Sequence, residues 1–366
     1  MGHRWATDMT ETPCPPLEAT PVGKALCLFR PDTGALGLLN EAARAAFEAA
    51  GAQSLRRLPA AAATPLLRPA GPARVECWPD EPDTAAALDV VIAANSDGTA
   101  VRFRCHVPWL SELLGSVLAP LRAPEGSPAS IRLTLAGLDD GSERFLLWRD
   151  GRAVGGAIRR AEIRRRALIE IAMALHEPNR VAAMLHASAV TVGDGALLIA
   201  GRSGAGKSSL TAALAAAGAA YLGDDLAPLD ADGRRLHPFP VAVSVKAGSW
   251  DRVAAMFPML REQTVHTIGD LRVRYLPFPR PKATGPVPIR CIIFSSFEPG
   301  MSLTSRILAP EETFALLVDA GSEIVGGPPS AAPLAKLAQS VPAMHLAYAD
   351  TGEAAAAIRA VGVMAE

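Results

Sequence analysis

Val101-Arg-Phe-Arg-Cys-His-Val107 alternates apolar and polar residues without a break, the period-two pattern of a strand with one buried face, and it follows a turn signal at Asn95-Ser-Asp-Gly98. Ile131-Arg-Leu-Thr-Leu135 and Phe145-Leu-Leu-Trp148 predict a hairpin across Asp139-Asp-Gly-Ser142, and Asp150-Gly151 opens another turn. Between these strands, Trp109 to Leu121 has the spacing of an amphipathic helix, so residues 76–180 read as an α+β lobe. Further upstream, Leu26-Cys-Leu-Phe29 and Leu36-Gly-Leu-Leu39 predict two strands around Asp32-Thr-Gly34, and Asn40 is placed to cap a helix from Glu41 to Ala50 that Gly51 closes. This small αβ segment, 21–75, ends in an Ala/Pro-rich linker between Leu58 and Pro72. Residues 1–20, with Thr12-Pro-Cys-Pro-Pro16, read as a disordered lead-in.

Arg159 to Leu175 predicts a helix carrying Arg159, Arg160, Arg164, Arg165 and Arg166. Two readings stay open for it: a solvated face whose stems cover apolar neighbours, or a docking surface for an acidic partner. From residue 181 the pattern changes to short buried strands followed by helices. Leu197-Leu-Ile199 is such a strand, and Leu210 to Ala217 is a strong helix former ending at Gly218. Pro310-Glu-Glu312 opens a later helix, and Ala343 to Tyr348 is a strand leading to a helix near Gly352. In Leu271-Arg-Val-Arg-Tyr275 the arginines Arg272 and Arg274 are either the polar face of a strand or weak candidates for phosphate contact.

The chemistry concentrates between the strand and the helix. Gly201, Gly206, Lys207 and Ser208 satisfy Gly-x-x-x-x-Gly-Lys-Ser, the pattern of a phosphate-binding loop. Ser203, Gly204, Ala205 and Ser209 complete it, with Gly204 an added point where no Cβ obstructs the backbone. Such a loop offers a triphosphate inward N–H groups, a positive helix end, one mobile cation and one hydroxyl for Mg²⁺. Lys207 is informative because the chain has 36 basic residues and only five lysines, Lys24, Lys207, Lys246, Lys282 and Lys336. A compact ammonium suits a point contact to phosphate. His186, in Leu185-His-Ala-Ser188-Ala-Val190, and the pair Asp224-Asp225, behind Ala220-Tyr-Leu-Gly223, flank the loop where ionisable groups would be costly unless used.

This order of motifs, His-Ala-Ser-Ala, then Gly-x-Ser-Gly-x-Gly-Lys-Ser-Ser, then Gly-Asp-Asp, resembles the catalytic domain of HPr kinase/phosphorylase and its structural relative phosphoenolpyruvate carboxykinase. It looks most like the stand-alone serine kinases of that group, some of which act in gene clusters for modified peptides such as lasso peptides. The likeness covers roughly 181–366 and includes Phe239-Pro-Val-Ala-Val-Ser-Val-Lys246. It implies an α/β P-loop kinase domain at 181–366 behind the smaller α+β lobe, with ATP and Mg²⁺ as cofactors. It assigns Lys207 to the phosphates, Ser208 to Mg²⁺, His186 to the neighbourhood of phosphate or metal, and the pair Asp224 and Asp225 to the general base and the metal-side carboxylate; which aspartate does which stays open, the expectation being Asp224 as base and Asp225 toward the metal, and Lys246 is a candidate second phosphate contact. The bifunctional enzymes' glycine-rich segment after the aspartates has no counterpart here, so the likeness does not extend to phosphorolysis, to hexamers or to HPr as substrate. Residues 26–50 also resemble the start of PqqD-like domains, which bind peptide leaders.

Composition narrows the rest. A chain of 366 residues that is 49% hydrophobic can bury a sizeable core in two or three domains. A net charge of -1 argues against bulk nucleic-acid or anionic-membrane binding. Cys14, Cys27, Cys77, Cys105 and Cys291 are odd in number and scattered, which points to a reducing cytoplasm rather than to disulfides or zinc. No apolar run could span a bilayer, and the first residues lack the pattern of a signal peptide. The expected function is transfer of the ATP γ-phosphoryl group to a serine of a peptide or protein. The rivals are a small-molecule kinase acting on free serine and a nucleotide-dependent switch or slow ATPase. Homo-oligomerisation stays open.

Overall fold

The computed structural model describes residues 17–31, 34–50, 63–67, 78–93, 99–138, 141, 143–176, 180–278 and 285–363. The turn expected at Asn95 to Gly98, Thr12 to Pro16 of the lead-in and most of the Ala/Pro-rich linker lie outside them. The molecule is mixed α/β. Glu18–Val22 (β1), Ala25–Arg30 (β2), Ala35–Leu39 (β3) and Ala63–Leu67 (β4) form a four-stranded sheet in that order, with Glu41–Ala50 (α1) after β3. The run Ala-Leu-Cys-Leu-Phe is apolar throughout because β2 is buried on both faces. Leu26 and Leu28 pack with Leu39 and Ala43, while Cys27 and Phe29 join a different cluster on the other side. The Asn40 side chain accepts the Ala43 N–H at 2.9 Å, capping α1 as expected.

Two elements appear where the sequence suggested none. β1 begins at Glu18, inside the stretch read as lead-in, and β4 lies inside the stretch read as linker. Each contains a proline, Pro21 or Pro65, and each is an edge strand, the position where a missing N–H costs no ladder bond. β1 is tied down from a distance: the Glu18 carboxylate accepts the Ser330 hydroxyl at 2.8 Å, and Gln339 donates to the Pro21 carbonyl at 2.6 Å.

The lobe follows: Leu88–Ala93 (β5), Ala100–Cys105 (β6), Pro108–Val117 (α2), Ile131–Gly137 (β7), Arg144–Arg149 (β8), Arg152–Ala153 (β9), Ile158–Arg159 (β10) and Arg160–Leu175 (α3). β7 and β8 pair antiparallel, as the hairpin pattern requires, whereas β6 and β7 are parallel because α2 crosses between them. α2 ends four residues short of Leu121, with a 3-10 turn at Ala119–Leu121, since Pro120 cannot donate the next helical hydrogen bond.

The remaining elements build the largest sheet and its covering layers. They begin with Val181–Leu185 (β11), Ala187–Val192 (β12), Gly195–Ala200 (β13), Lys207–Ala216 (α4), Tyr221–Gly223 (β14), Ala227–Asp230 (β15), Arg235–Leu236 (β16), Val243–Lys246 (β17) and Trp250–Met256 (α5). Then come His266–Ile268 (β18), Leu271–Leu276 (β19), Val287–Phe297 (β20), Thr304–Ile307 (β21), Pro310–Asp319 (α6), Glu323–Ile324 (β22), Ala332–Ser340 (α7), Ala343–Tyr348 (β23) and Thr351–Val363 (α8). Ten strands form one sheet joined through β20, which pairs parallel with both β13 and β23 and antiparallel with β16. Alternation along β13 serves two cores: Ala196, Leu198 and Ala200 face α6, α7 and the N-terminal sheet, while Leu197 and Ile199 face α4 and α8. A separate three-stranded sheet, β17-β19-β18, stands beside the loop that leaves β13. A third cluster runs from the lobe into this region, joining Ile163 and Ile171 of α3 to Met184, Leu226, Phe239 and Tyr275. Among the described residues no helix is long and apolar enough to cross a membrane.

Phe314 of α6 is fully buried in the cluster that joins β13, α7 and the N-terminal sheet. Phe314→Ala is expected to lower the unfolding free energy by about 3–5 kcal/mol, read from the urea midpoint at constant slope. A loss below about 1 kcal/mol would mean that this layer is not packed as described.

Candidate functional site

The loop leaving β13 is shaped by two glycines. Gly201 has φ +139°, and a Cβ there would lie 3.0 Å from the Ser295 carbonyl oxygen. Gly206 is the N-cap of α4 with φ +86°, and a Cβ there would meet the Tyr348 hydroxyl at 2.5 Å and the Phe297 Cβ at 3.0 Å. No side chain caps α4 and no acidic residue sits in its first turn, so the N–H groups of Lys207, Ser208 and Ser209 and the positive helix end stay available to an anion. The Lys207 ammonium arches back over the loop and donates to the Gly201 carbonyl at 2.7 Å and the Arg202 carbonyl at 3.3 Å. Burial holds its pKa below the ordinary lysine range, against the pull of Asp224 and Asp225. From β17, the Lys246 ammonium reaches across to the Ser203 hydroxyl at 2.5 Å.

The two aspartates occupy different environments although they are neighbours in sequence. Asp225 sits at φ +63° at the apex of a tight turn closed by the Leu226 N–H on the Asp224 carbonyl at 2.8 Å. That turn sends the side chains apart. Asp224, 1% exposed, accepts the Ser188 hydroxyl, the Ser208 hydroxyl at 3.2 Å and the Ser244 N–H at 3.0 Å. Burial, and then the neighbouring Asp225 charge, push its carboxyl up to about 6. Asp225 lies on the cavity wall, with Arg164 Nη1 3.4 Å from its Oδ2 and His186 Nε2 3.8 Å from its Oδ1. Burial opposes its charge, but Arg164, His186 and Lys207 together outweigh that and hold its carboxyl below the usual range. Burial and the Lys207 charge lower the His186 pKa, which favours the neutral imidazole.

These groups share one cavity of about 440 Å³, within the range of small-molecule sites. His186, Ser203, Gly204, Gly206, Lys207, Ser208, Ser209, Asp225 and Lys246 line it; Gly201 and Ala205 are not on its wall, and Asp224 is buried behind it. Arg272 and Arg274 are not on its wall: both guanidinium groups stack on Trp250, 5.2 and 4.5 Å from its ring centroid. Sequence reasoning gave no site role to Ser188 or Arg164. Ser188 lay inside the quoted His-Ala-Ser-Ala motif, and its only signal was that position. On the arginine-rich helix Arg159, Arg160, Arg164, Arg165 and Arg166 each pair with a carboxylate of this chain, Arg159 and Arg160 on the exposed surface and Arg164 on the cavity wall. No local pattern distinguishes Arg164 from its neighbours.

No family model matches the chain, and no curated protein is significantly similar to it. The donors beside the loop are hard oxygens, the Ser208 hydroxyl and the two carboxylates, which suit Mg²⁺ rather than a soft metal. Among the described residues no group of three or more His, Cys, Asp or Glu is gathered for a metal. A cation here would complete its shell with phosphate oxygens and water, as Mg²⁺ commonly does.

A buried carboxyl with a raised pKa costs stability once it ionises. Asp224→Asn can keep the Ser244 and Ser208 contacts through its amide oxygen and turn its NH₂ to Ser188. The variant is therefore expected to match the wild type below about pH 4. It should gain progressively as pH rises from about 4, where the unfolded carboxyl loses its proton, to about 6, where the native one does, and stay more stable by on the order of 1–3 kcal/mol above that. Urea unfolding of both proteins across that window is the measurement, and a variant less stable than the wild type at pH 7 would contradict the environment described.

Proposed function

We propose that the chain is an ATP-dependent phosphotransferase that moves the γ-phosphoryl group to a serine hydroxyl of a peptide or protein. The observation that supports this best is that the glycine loop and its lysine share one cavity with a carboxylate, Asp225, open to an incoming hydroxyl. Phosphoryl transfer needs in-line placement, neutralised charge and a group to take one proton. Lys207 and the first-turn N–H groups of α4 hold the β- and γ-phosphates, with Lys246 and Arg164 as further cations on the same wall. The acceptor oxygen forms a bond to the γ-phosphorus as the bond to the β,γ-bridging oxygen breaks, ADP leaves with that electron pair, and Asp225 takes the hydroxyl proton.

This gives the aspartates the reverse of the jobs expected from the motif likeness. A base must reach the proton before its pKa matters, and Asp224, 1% exposed and bonded to Ser208, cannot touch an external hydroxyl. Ser208 would hold Mg²⁺, with Asp224 fixing the Ser208 hydroxyl from behind, and the ion would neutralise the β- and γ-phosphate oxygens. The acceptor class, a serine in a polypeptide, is supported by the order of the His-Ala-Ser-Ala, Gly-x-Ser-Gly-x-Gly-Lys-Ser-Ser and Gly-Asp-Asp motifs.

Calorimetry with Mg-ATP is expected to show binding abolished or greatly weakened in Lys207→Ala, and undiminished affinity there would remove the phosphate-loop assignment. With serine-containing peptides and labelled ATP, Asp225→Asn is expected to slow single-turnover transfer by about 10²- to 10⁴-fold with nucleotide affinity nearly unchanged. Slowing confined to Asp224→Asn would restore the opposite assignment of the pair. Label appearing on free serine alone would make the protein a small-molecule kinase.

A further inference from the structure

The cavity has two differently built regions. One holds Asp225, Arg164 and His186. In the other, Phe297, the last residue of β20, stands beside the N-cap of α4, so close that a Cβ on Gly206 would come within 3.0 Å of its own. Its ring is braced edge-on by Tyr348 at a centroid distance of 5.9 Å, and the guanidinium of Arg252, on α5, lies 4.6 Å from its centroid. Among the described residues Arg252 has no ion-pair partner, so its charge is available to the ring and to anything stacked there. A nucleotide whose β- and γ-phosphates sit at Lys207 and Ser208 extends away from the transfer end, and a flat aromatic surface with an unpaired planar cation is what a base would meet.

We infer that Phe297 and Arg252 form the stacking platform for the nucleobase, and that the platform favours purine over pyrimidine nucleoside triphosphates. The platform presupposes the phosphate loop proposed above. Among the described residues that line the cavity none bears an amide and Asp225 alone bears a carboxylate, so the area of the base stacked on Phe297, beside the Arg252 guanidinium, carries its recognition. Stacking alone senses the area of the base, not the pattern of donors and acceptors on its edge. Purines therefore bind more tightly than pyrimidines, which offer less area.

Calorimetry on the full chain with ATP, GTP, CTP and inorganic tripolyphosphate, each with Mg²⁺, tests this. Phe297→Leu keeps apolar volume against Tyr348 while removing the π-face, and Arg252 is exposed, so Arg252→Ala should leave the fold intact. Phe297→Leu is expected to weaken ATP and GTP alike by on the order of 5- to 100-fold, and Arg252→Ala by a smaller factor, with tripolyphosphate affinity within about twofold of wild type. Wild-type ATP and GTP affinities should both exceed that for CTP. Equal weakening of tripolyphosphate, no weakening of ATP, or CTP bound as tightly as ATP would overturn the platform. Lys207→Ala separates the two layers of inference. If it abolishes tripolyphosphate binding while Phe297→Leu leaves ATP untouched, only the platform falls; if tripolyphosphate binding survives it, the phosphate loop falls and the platform with it.

Discussion

A carboxylate with 1% exposure cannot stay charged unless donors converge on it, and around Asp224 they come from three elements: Ser188 on β12, Ser208 on α4 and the Ser244 N–H on β17. The contact fixes where α4 starts relative to β12 and where the three-stranded sheet stands relative to both. Placing Asp224 inward also decides the direction of its neighbour. The left-handed backbone at Asp225 turns the second carboxylate onto the cavity wall, where the Arg164 and Lys207 charges keep it ionised. One buried acid thus organises the loop, the opposite wall and the polarity of the pair.

The sheet supplies the rigidity that this arrangement needs. β13, β20 and β23 run parallel, and the loop and Phe297 both emerge at the carboxyl ends of those strands, where open α/β sheets bind ligands. Gly206 can approach Tyr348 and Phe297 only because it has no Cβ, so the helix end and the aromatic pair are held together by close backbone approach.

The lobe takes part in the site through α3. This helix packs into the cluster containing Met184, Leu226 and Tyr275, and from that anchored position Arg164 reaches Asp225 while Arg165 bonds Glu323 and the Gly321 carbonyl beside His186. Severing the chain at about residue 180 would remove a cation from the cavity wall, whatever domain boundary the composition suggests.

What the sequence by itself determined is local. The glycine loop, the helix after it, the Asn40 cap and the strand β13 are encoded within a few residues, by positions that need a missing Cβ, a side-chain acceptor or an unbroken apolar run. Lys207 and Ser208 were legible from the glycine-loop pattern, His186 and Asp225 because ionisable groups beside such a loop are costly unless used, and Lys246 only through the likeness to a related segment. The edge strands holding Pro21 and Pro65 were hidden because proline is tolerated only at an edge, and which strand is an edge is not written in the strand itself. The meeting of Arg164 with Asp225, 61 residues apart, and of Phe297 with Arg252 depends on strand order and helix crossovers, as does the turning of Arg272 and Arg274 toward Trp250. Periodicity tells a residue that it faces inward or outward within its own element; which other element lies opposite is settled only when the sheets and helices close on a common core.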